Sequence, residues 1–529
     1  MFLGKIGLSK KAIAYAFLST VLFTTTLAFV STAPASAEDW RPVILVGDFT
    51  NETKDAKWDT VGIGLAGVIA VKLSHLKCVR VVSEESRRQV MSEQRFGQSG
   101  FVDTATAAEA GRFAGATFTV YGSYTLIDRD MTAFAFVADC TTSELKGSCT
   151  ASSKTDSTGT LVSTIAEGVV DELGVETTET EVQTIQAPDV GRTIDTMALL
   201  GEVDRILYYE KGEMKRVISR DQLLHAAELC ERVIAVEPNN TKAYNSLGNI
   251  WQSELGLGDD DKAIMYYRKA LDIDSNCAYA HNNLGNAVKA KGDLDGAIAE
   301  YRQALAIDPF YAVAHFNLGN ALYWKGDVDG AIDEYRSALE DNPNLLEAHY
   351  NLGFALKRKG DLDGAIAEYK TVLSINPNNA TAHNNLGVAL YDKGDILSAI
   401  SEYRTALSID PNDATAHFNL GNALLTKGDL DGAMGEYRKS IAIDPSDPTA
   451  YFNLGNTLKA KGDVAGAVAE YEKAVKLDPK LAIAWSGLGI CYYEAGDLEQ
   501  ARTCFNKAIK FSSHGSWAYE TAQGYLGRM

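Results

Sequence analysis

AYAHNNLGNAVKAKGDLDGAIAEYRQALAIDPFY, residues 278–311, is the stretch that decides the fold, because the chain writes it repeatedly. The pattern restarts at Ala312, Leu346, Ala380, Ala414, Pro448 and Ala482, a fixed step of 34 residues. A looser copy begins at Thr241 and carries three extra residues in its internal turn, so it runs 37 residues to Cys277. Eight units therefore occupy 241–277, 278–311, 312–345, 346–379, 380–413, 414–447, 448–481 and 482–515. Self-similarity at this period means stacked helical hairpins. Each is too small to bury its own apolar face and is stable only against its neighbours.

Numbered from its first residue, each unit resolves into two helices. The first carries Leu at position 7 and Gly at position 8, as in Leu318-Gly319 and Leu352-Gly353. A KGD turn follows, and its Asp (Asp293, Asp327, Asp361) is suited to cap the second helix. That helix holds Ala at position 20 and Tyr at position 24 (Tyr301, Tyr335, Tyr369), and Pro at position 32 closes it. Small residues at 8 and 20 let two backbones approach while the aromatic fills the groove beside them. Length, Leu-Gly, Ala, aromatic and Pro recur together over more than half the chain. In this the chain resembles the tetratricopeptide repeat, which implies an all-α superhelix that binds proteins.

Outward from the repeats, residues 1–37 read as a secretory signal. Lys5, Lys10 and Lys11 precede an apolar run from Ala12 to Val30, and Ala35-Ser36-Ala37 offers small residues for cleavage. The run is long for a signal, so an uncleaved membrane anchor stays open. The expected location is outside the cytoplasm, in the periplasm, and the absence of a Cys near the cut argues against a lipoprotein. Further on, no second long apolar run appears. A net charge of −20 makes nucleic acid or an anionic membrane surface an unsuitable partner.

Residues 38–175 mix strand and helix. Val43–Val46 and Val79–Val82 are short apolar strands, and Asp59–Leu76, Glu84–Gln94, Thr106–Phe113 and Leu161–Leu173 have helical character. Thr117–Ile127 and Met131–Ala138 alternate as paired strands, so the domain is expected to be α+β. The order of these pieces, with GDFTNET, RVVSEESRRQVMSEQ and TVYGSYTLIDRDMTAFAFVADCTTSE, resembles the amino-terminal domain of the Tol-system periplasmic protein and the curli-secretion lipoproteins. That resemblance implies a non-enzymatic envelope domain that contacts other proteins. Residues 176–193, rich in Thr and Glu, read as a linker, and 194–240 as a degenerate first repeat retaining Ala226 and Pro238. Its first helix is expected near Met197–Glu213, and residues 516–529 should cap the array with a helix over Trp517–Leu526.

At 100° per residue, positions 4, 7, 8 and 11 of the first helix share one side, and positions 2, 5, 6, 9, 12 and 13 share the other. The first set is apolar or small and packs, so the second lines the open groove. Position 6 is Asn six times running: Asn283, Asn317, Asn351, Asn385, Asn419 and Asn453. Position 9 is often Asn as well, at Asn249, Asn286, Asn320, Asn422 and Asn456. Asn is a poor helix former, and neighbouring groove positions have drifted while position 6 has not. Recent duplication of a neutral residue would also repeat it. A carboxamide, however, offers the donor and acceptor that a peptide main chain requires, so the ladder is expected to grip extended polypeptide. The protein O-linked N-acetylglucosamine transferases, whose repeats these resemble, carry the same ladder, but their catalytic chemistry has no counterpart here. Specificity would come from positions 5, 12 and 13, which supply Phe316, Tyr323, Trp324, Tyr350, Tyr391, Phe418 and Phe452 with Lys357, Arg358 and Lys459. Some of these aromatics could instead pack between repeats, and Lys357 and Arg358 favour an acidic ligand. At about 1 kcal/mol per hydrogen bond, such a ladder suits micromolar capture once ordering costs are subtracted.

Three further features invite other readings. His281, His315, His349, His383 and His417 recur every 34 residues, but equivalent residues of adjacent repeats lie about 10 Å apart, too far to share a metal. The DLDG turns lack a Glu at the twelfth position of a calcium loop. Cys140 and Cys149 flank a hairpin turn and are candidates for a disulfide in an oxidising compartment, whereas Cys491 and Cys504 read as small buried residues. No nucleophile constellation, phosphate loop or paired-carboxylate site emerges, so neither cofactor nor metal is expected. The sequence reads as an exported non-enzymatic scaffold holding a protein or peptide segment. A substrate-recruiting subunit of a separate transferase, or a structural assembly factor of the envelope, are the alternatives, and the oligomeric state stays open.

Overall fold

The computed structural model describes residues 41–529 except 54, 75, 77, 83–86, 88–89, 91–102, 129, 156–157, 187–192, 209–217 and 253–256. The expected signal, most of the expected helix over 84–94 and the tail of the linker lie outside the described residues. From Val43 onward the chain forms one compact unit.

Apolar alternation in β1 (Val43–Asn51), β3 (Phe118–Ile127) and β4 (Asp130–Asp139) sends successive side chains to opposite faces of a five-stranded sheet. The order is β2-β1-β3-β4-β5, with β2 at Arg80–Val81 and β5 at Leu145–Lys154. β1 runs parallel to both neighbours, and β3, β4 and β5 are antiparallel. On one face Ile44, Val46, Val120, Met131 and Ala133 are buried under α1 (Val61–Ser74) and α3 (Gly159–Leu173). On the other, Leu45, Tyr121 and Ala138 pack against Ala107 and Ala110 of α2 (Thr104–Phe113).

β5 was not legible beforehand. LKGSCTASSK has almost no apolar side chain, and it is a strand because its backbone completes the ladder of β4 at the sheet edge. The disulfide expectation is corrected by the same pairing. Cys149 stands opposite Ala135 and faces α3, with Sγ 3.7 Å from the Ile165 carbonyl. Cys140 is buried on the α2 face, 3.4 Å from Thr119 Oγ1. The two sulfurs occupy opposite faces, and both thiols are free.

The linker expectation is also corrected. Glu179–Gln186 forms a helix, α4, which buries Ile185 in the domain core. The Glu181 carboxylate accepts from the backbone N–H of Cys78 at 3.1 Å and of Thr178 at 2.8 Å, so an acidic residue that suggested solvation is a tie. The next helix, α5 (Ile194–Tyr208), crosses α1 at backbone contact. A Cβ on Gly64 would stand 2.3 Å from the Met197 carbonyl oxygen, and one on Gly201 would stand 1.8 Å from that of Thr60. α5 and α6 (Arg220–Val236) then pair as the degenerate first repeat, around Val203, Leu223, Ala226 and Cys230, and hand the core on to Leu247. Domain and array therefore share continuous packing.

The eight hairpins follow the period. Their first helices are Thr241–Trp251, Ala278–Ala290, Ala312–Lys325, Leu346–Lys359, Ala380–Lys393, Ala414–Lys427, Pro448–Ala460 and Ala482–Glu494. The second helix starts at the turn Asp, whose carboxylate accepts from the N–H three residues on, as from Gly296 to Asp293 at 2.8 Å and from Gly330 to Asp327 at 3.0 Å. The glycine before that Asp takes a left-handed conformation, φ 94° at Gly326, closing the first helix. Ala at positions 3 and 10, Leu at 7 and Tyr at 24 form the continuous core. Helix Trp517–Leu526 covers the end, burying Ala518 and Ala522.

Candidate functional site

First helices of neighbouring repeats approach one another more closely than second helices do, so they line the inner side of the array. Position 6 lies on that side as expected, yet its carboxamide is engaged. In each of the six repeats with Asn at position 6, one Nδ2–H donates back to the preceding repeat: Asn283 to Asn249 (3.1 Å), Asn317 to Asn282 (2.9 Å), Asn351 to Asn320 (2.7 Å), Asn419 to Asn384 (3.0 Å) and Asn453 to Asn422 (3.0 Å). Asn385 donates to the Tyr350 hydroxyl. The ladder is thus first a seam between repeats. What it leaves unbonded is acceptor oxygen: Oδ1 of Asn317, Asn351, Asn385, Asn419 and Asn453 accepts no hydrogen bond among the described residues.

Position 9 has a second structural duty. The buried Tyr at position 24 donates to its carboxamide oxygen, from Tyr267 to Asn249 (2.7 Å), Tyr301 to Asn286 (2.6 Å), Tyr335 to Asn320 (2.7 Å), Tyr437 to Asn422 (2.7 Å) and Tyr471 to Asn456 (2.6 Å). Burial pushes the Tyr335, Tyr437 and Tyr471 phenols far above their ordinary range, so each stays a neutral donor.

The position-4 histidines sit at the rim of the packed side. His315 Nδ1 meets Glu334 at 2.6 Å and its Nε2 meets the Pro309 carbonyl at 3.0 Å, and His281, His349, His383 and His417 repeat the arrangement. Each ring is occupied in joining its own second helix to the turn before it. Lys at position 14 pairs with Asp at position 18 of the preceding repeat, as Lys325 does with Asp295 at 2.5 Å.

Most position-5 aromatics also pack. Phe316, Phe418 and Phe452 lie 6.1, 5.9 and 5.8 Å from the position-24 rings of their own repeats. The middle of the groove differs. Trp324 is 77% exposed and Phe354 47% exposed. Phe354 stands 5.7 Å from Tyr323, and the Arg358 guanidinium covers Tyr323 at 4.9 Å. Lys357 is paired with Asp392 at 3.3 Å and Lys459 with Glu494 at 3.0 Å, so of the three expected groove cations only Arg358 lacks a carboxylate partner among the described residues. Phe354 was passed over in the sequence because position 9 was read for its asparagines. Its departure from them was the available signal.

The amino-terminal domain touches the array again, far along the chain. Arg80 on the edge strand β2 pairs with Asp341 at 2.5 Å and lies over the Phe310 ring at 4.3 Å. Phe310 belongs to the turn between repeats 2 and 3, and Asp341 is the last residue of the second helix of repeat 3. Gly115 approaches Pro343 beside them. Burial pushes the Asp341 carboxyl up to about 6, against the pull of Arg80.

Comparison with known proteins accords with the repeat geometry. A model described as TPR repeat matches six overlapping stretches between residues 254 and 462, and a second, described as Tetratricopeptide repeat, matches 452–516. Residues 25–133 match the family described as Peptidoglycan-synthase activator LpoB. The Tol-system and curli-secretion resemblance is corrected accordingly, because a strand, polar turn, helix and hairpin in that order specify a fold without singling out one envelope family. No curated protein matches the chain. Among solved structures, MamA is 30% identical over 31% of this chain and 96% of its own, with a TM-score of 0.30. YrrB, described as a TPR protein with an unusual peptide-binding site, is 26% identical over 37% and 97%, with a TM-score of 0.33. A tetratricopeptide repeat protein from Parabacteroides merdae is 19% identical over 47% and 98%, with a TM-score of 0.40. Among the described residues no helix is long and apolar enough to cross a membrane. With hairpins at a 34-residue period, Leu-Gly opposite Ala and Tyr, and two repeat models matching from 254 to 516, the array is one of tetratricopeptide repeats behind an LpoB-like α/β domain.

Proposed function

We propose that this chain is an exported, non-enzymatic scaffold of the cell envelope, which holds an extended segment of another protein along the inner face of its repeats. The observation that carries the reading is the row of acceptor oxygens at position 6. Each carboxamide is held in place by the bond to the repeat before it, so its Oδ1 is oriented before any ligand arrives. A main-chain N–H of an extended peptide is the donor such a row fits, and a preorganised row loses little entropy on binding. The signal-like leader and the LpoB-like domain support an envelope setting. Because that family is described as a peptidoglycan-synthase activator, the machinery of wall synthesis is the setting we favour for the partner.

A photoreactive phenylalanine analogue placed at Trp324 in the groove, beside a control at Leu397 on a second helix, tests the reading inside envelope preparations. Leu397 is 67% exposed, so the two sites are comparably open. A discrete adduct with another protein from the groove site alone is expected. Equal labelling from both sites, or none from the groove, would refute it.

A further inference from the structure

Position 9 of the first helix is Asn in five repeats, and in each of these the carboxamide takes the hydrogen bond of the buried tyrosine behind it. Repeats 4 and 5 break the rule with Phe354 and Val388. The other departure, Ile490, packs beneath the terminal helix. The break has a cost that the fold has not repaired. The Tyr369 hydroxyl, fully buried behind Phe354, has no hydrogen-bond partner among the described residues. An orphaned buried hydroxyl and an exposed phenylalanine are both unfavourable for an isolated array, and an array made by copying would lose them by reverting to Asn.

Around Phe354 the groove is built to receive something. Tyr323 and Phe354 form a tilted aromatic pair, Trp324 stands exposed beside Tyr323, and Tyr350 packs edge-on against Tyr369 at 5.9 Å. Arg358 lies on the Tyr323 ring without a carboxylate, in a chain of net charge −20 whose neighbouring groove cation, Lys357, is already neutralised by Asp392. A guanidinium resting over an aromatic face can still present N–H groups to an incoming anion.

Building on the groove as a binding face, we infer that repeats 3 and 4 form a side-chain-reading subsite for an extended peptide, taking a large aromatic side chain against Phe354, Tyr323 and Trp324 and an adjacent carboxylate on Arg358. The position-6 asparagines, unbroken through these repeats, hold main chain and are indifferent to sequence, and only the position-9 row is interrupted. The interruption in the middle sets the register and supplies selectivity.

The probe is a random peptide library displayed on phage and panned against the full chain, followed by fluorescence anisotropy of the selected peptides. Enrichment of an aromatic residue beside Asp or Glu is expected. Phe354→Asn is the decisive variant, because it restores the ladder residue, offers Tyr369 the acceptor it lacks and so keeps the array folded. It should bind the selected peptides at least about tenfold more weakly. Arg358→Glu should lose the acidic preference and keep the aromatic one. Selected peptides without an aromatic-acidic pair, or unchanged affinity in Phe354→Asn, would overturn the subsite while leaving the groove as a binding face. A wild-type chain that selects no peptide would overturn both. Self-association of the wild type that disappears in Phe354→Asn would show a second copy on the patch and would also overturn the peptide assignment.

Discussion

Replacing the position-24 tyrosines one at a time by Phe separates the seam from the subsite, because the same substitution should have opposite consequences in different repeats. Tyr437 is fully buried and donates to Asn422 at 2.7 Å. Asn422 keeps a second donor, Asn453, at 3.0 Å, so Tyr437→Phe removes one bond without orphaning the carboxamide. The cost should be about 1 kcal/mol, the usual net value of a neutral hydrogen bond. Tyr335→Phe should behave alike, since Asn320 still accepts from Asn351 at 2.7 Å. Tyr369 is equally buried and its hydroxyl has no partner among the described residues, so Tyr369→Phe removes a desolvated polar group at no loss of bonding. It should be neutral or should stabilise the array by about 1 kcal/mol, and the two variants should differ by roughly 1 to 2 kcal/mol. Repeat arrays unfold with limited cooperativity, so urea midpoints of the full chain are best read beside native-state hydrogen exchange in repeats 4 and 6. If Tyr369→Phe is as destabilising as Tyr437→Phe, the hydroxyl has a partner and Phe354 does not leave it orphaned.

Other consequences concern charge and redox state. The bond to Glu300 raises the pKa of His281; for His315 and His349 burial pulls it down, but the bonds to Glu334 and Glu368 and to the proline carbonyls outweigh this and raise it. A raised histidine contributes stability that is complete below its unfolded value of about 6.5 and lost as pH climbs through the folded value, so the melting temperature should fall on going from about pH 6 to pH 8.5. Changing the three histidines to Gln should flatten that slope, and an unchanged slope would count against the ion pairs. Asp341, lifted to about 6 by burial, binds its proton more tightly in the folded state than its ordinary 3.8. Its contribution therefore grows as pH falls from about 6 to 4, and Asp341→Asn should abolish that dependence. Arg80→Ala should loosen the hold of the α/β domain on the segments 308–312 and 341–343, seen as roughly tenfold faster amide exchange there, with distant repeats unaffected. Finally, Cys140 and Cys149 should both alkylate after denaturation without reductant, even in protein recovered from an oxidising compartment. A mass corresponding to their disulfide would contradict the opposite-face placement.

Much of this protein is encoded locally and repeated. A hairpin of 34 residues meets a neighbour with nearly the same sequence, so Leu at 7, Gly at 8, Ala at 20 and Tyr at 24 specify tertiary contacts as well as helices, and both were legible from the period. The capping Asp and closing Gly were legible for the same reason, since their partners lie within four residues. The sequence also placed the asparagines on the inner side. It could not say that one N–H of each is committed to the preceding repeat, because the acceptor is Asn320 in one case, Asn384 in another and a tyrosine hydroxyl in a third. Where partners are distant or pairing is through backbone, tertiary structure alone decided. β5 became a strand because β4 offered a ladder, and 179–186 became a helix because Ile185 found the domain core. Cys140 and Cys149 were separated by the pleat of the sheet, and Arg80 met Asp341 across 261 residues. None of these leaves a periodic trace, since each depends on surfaces that come together only after the hairpins and the sheet have formed.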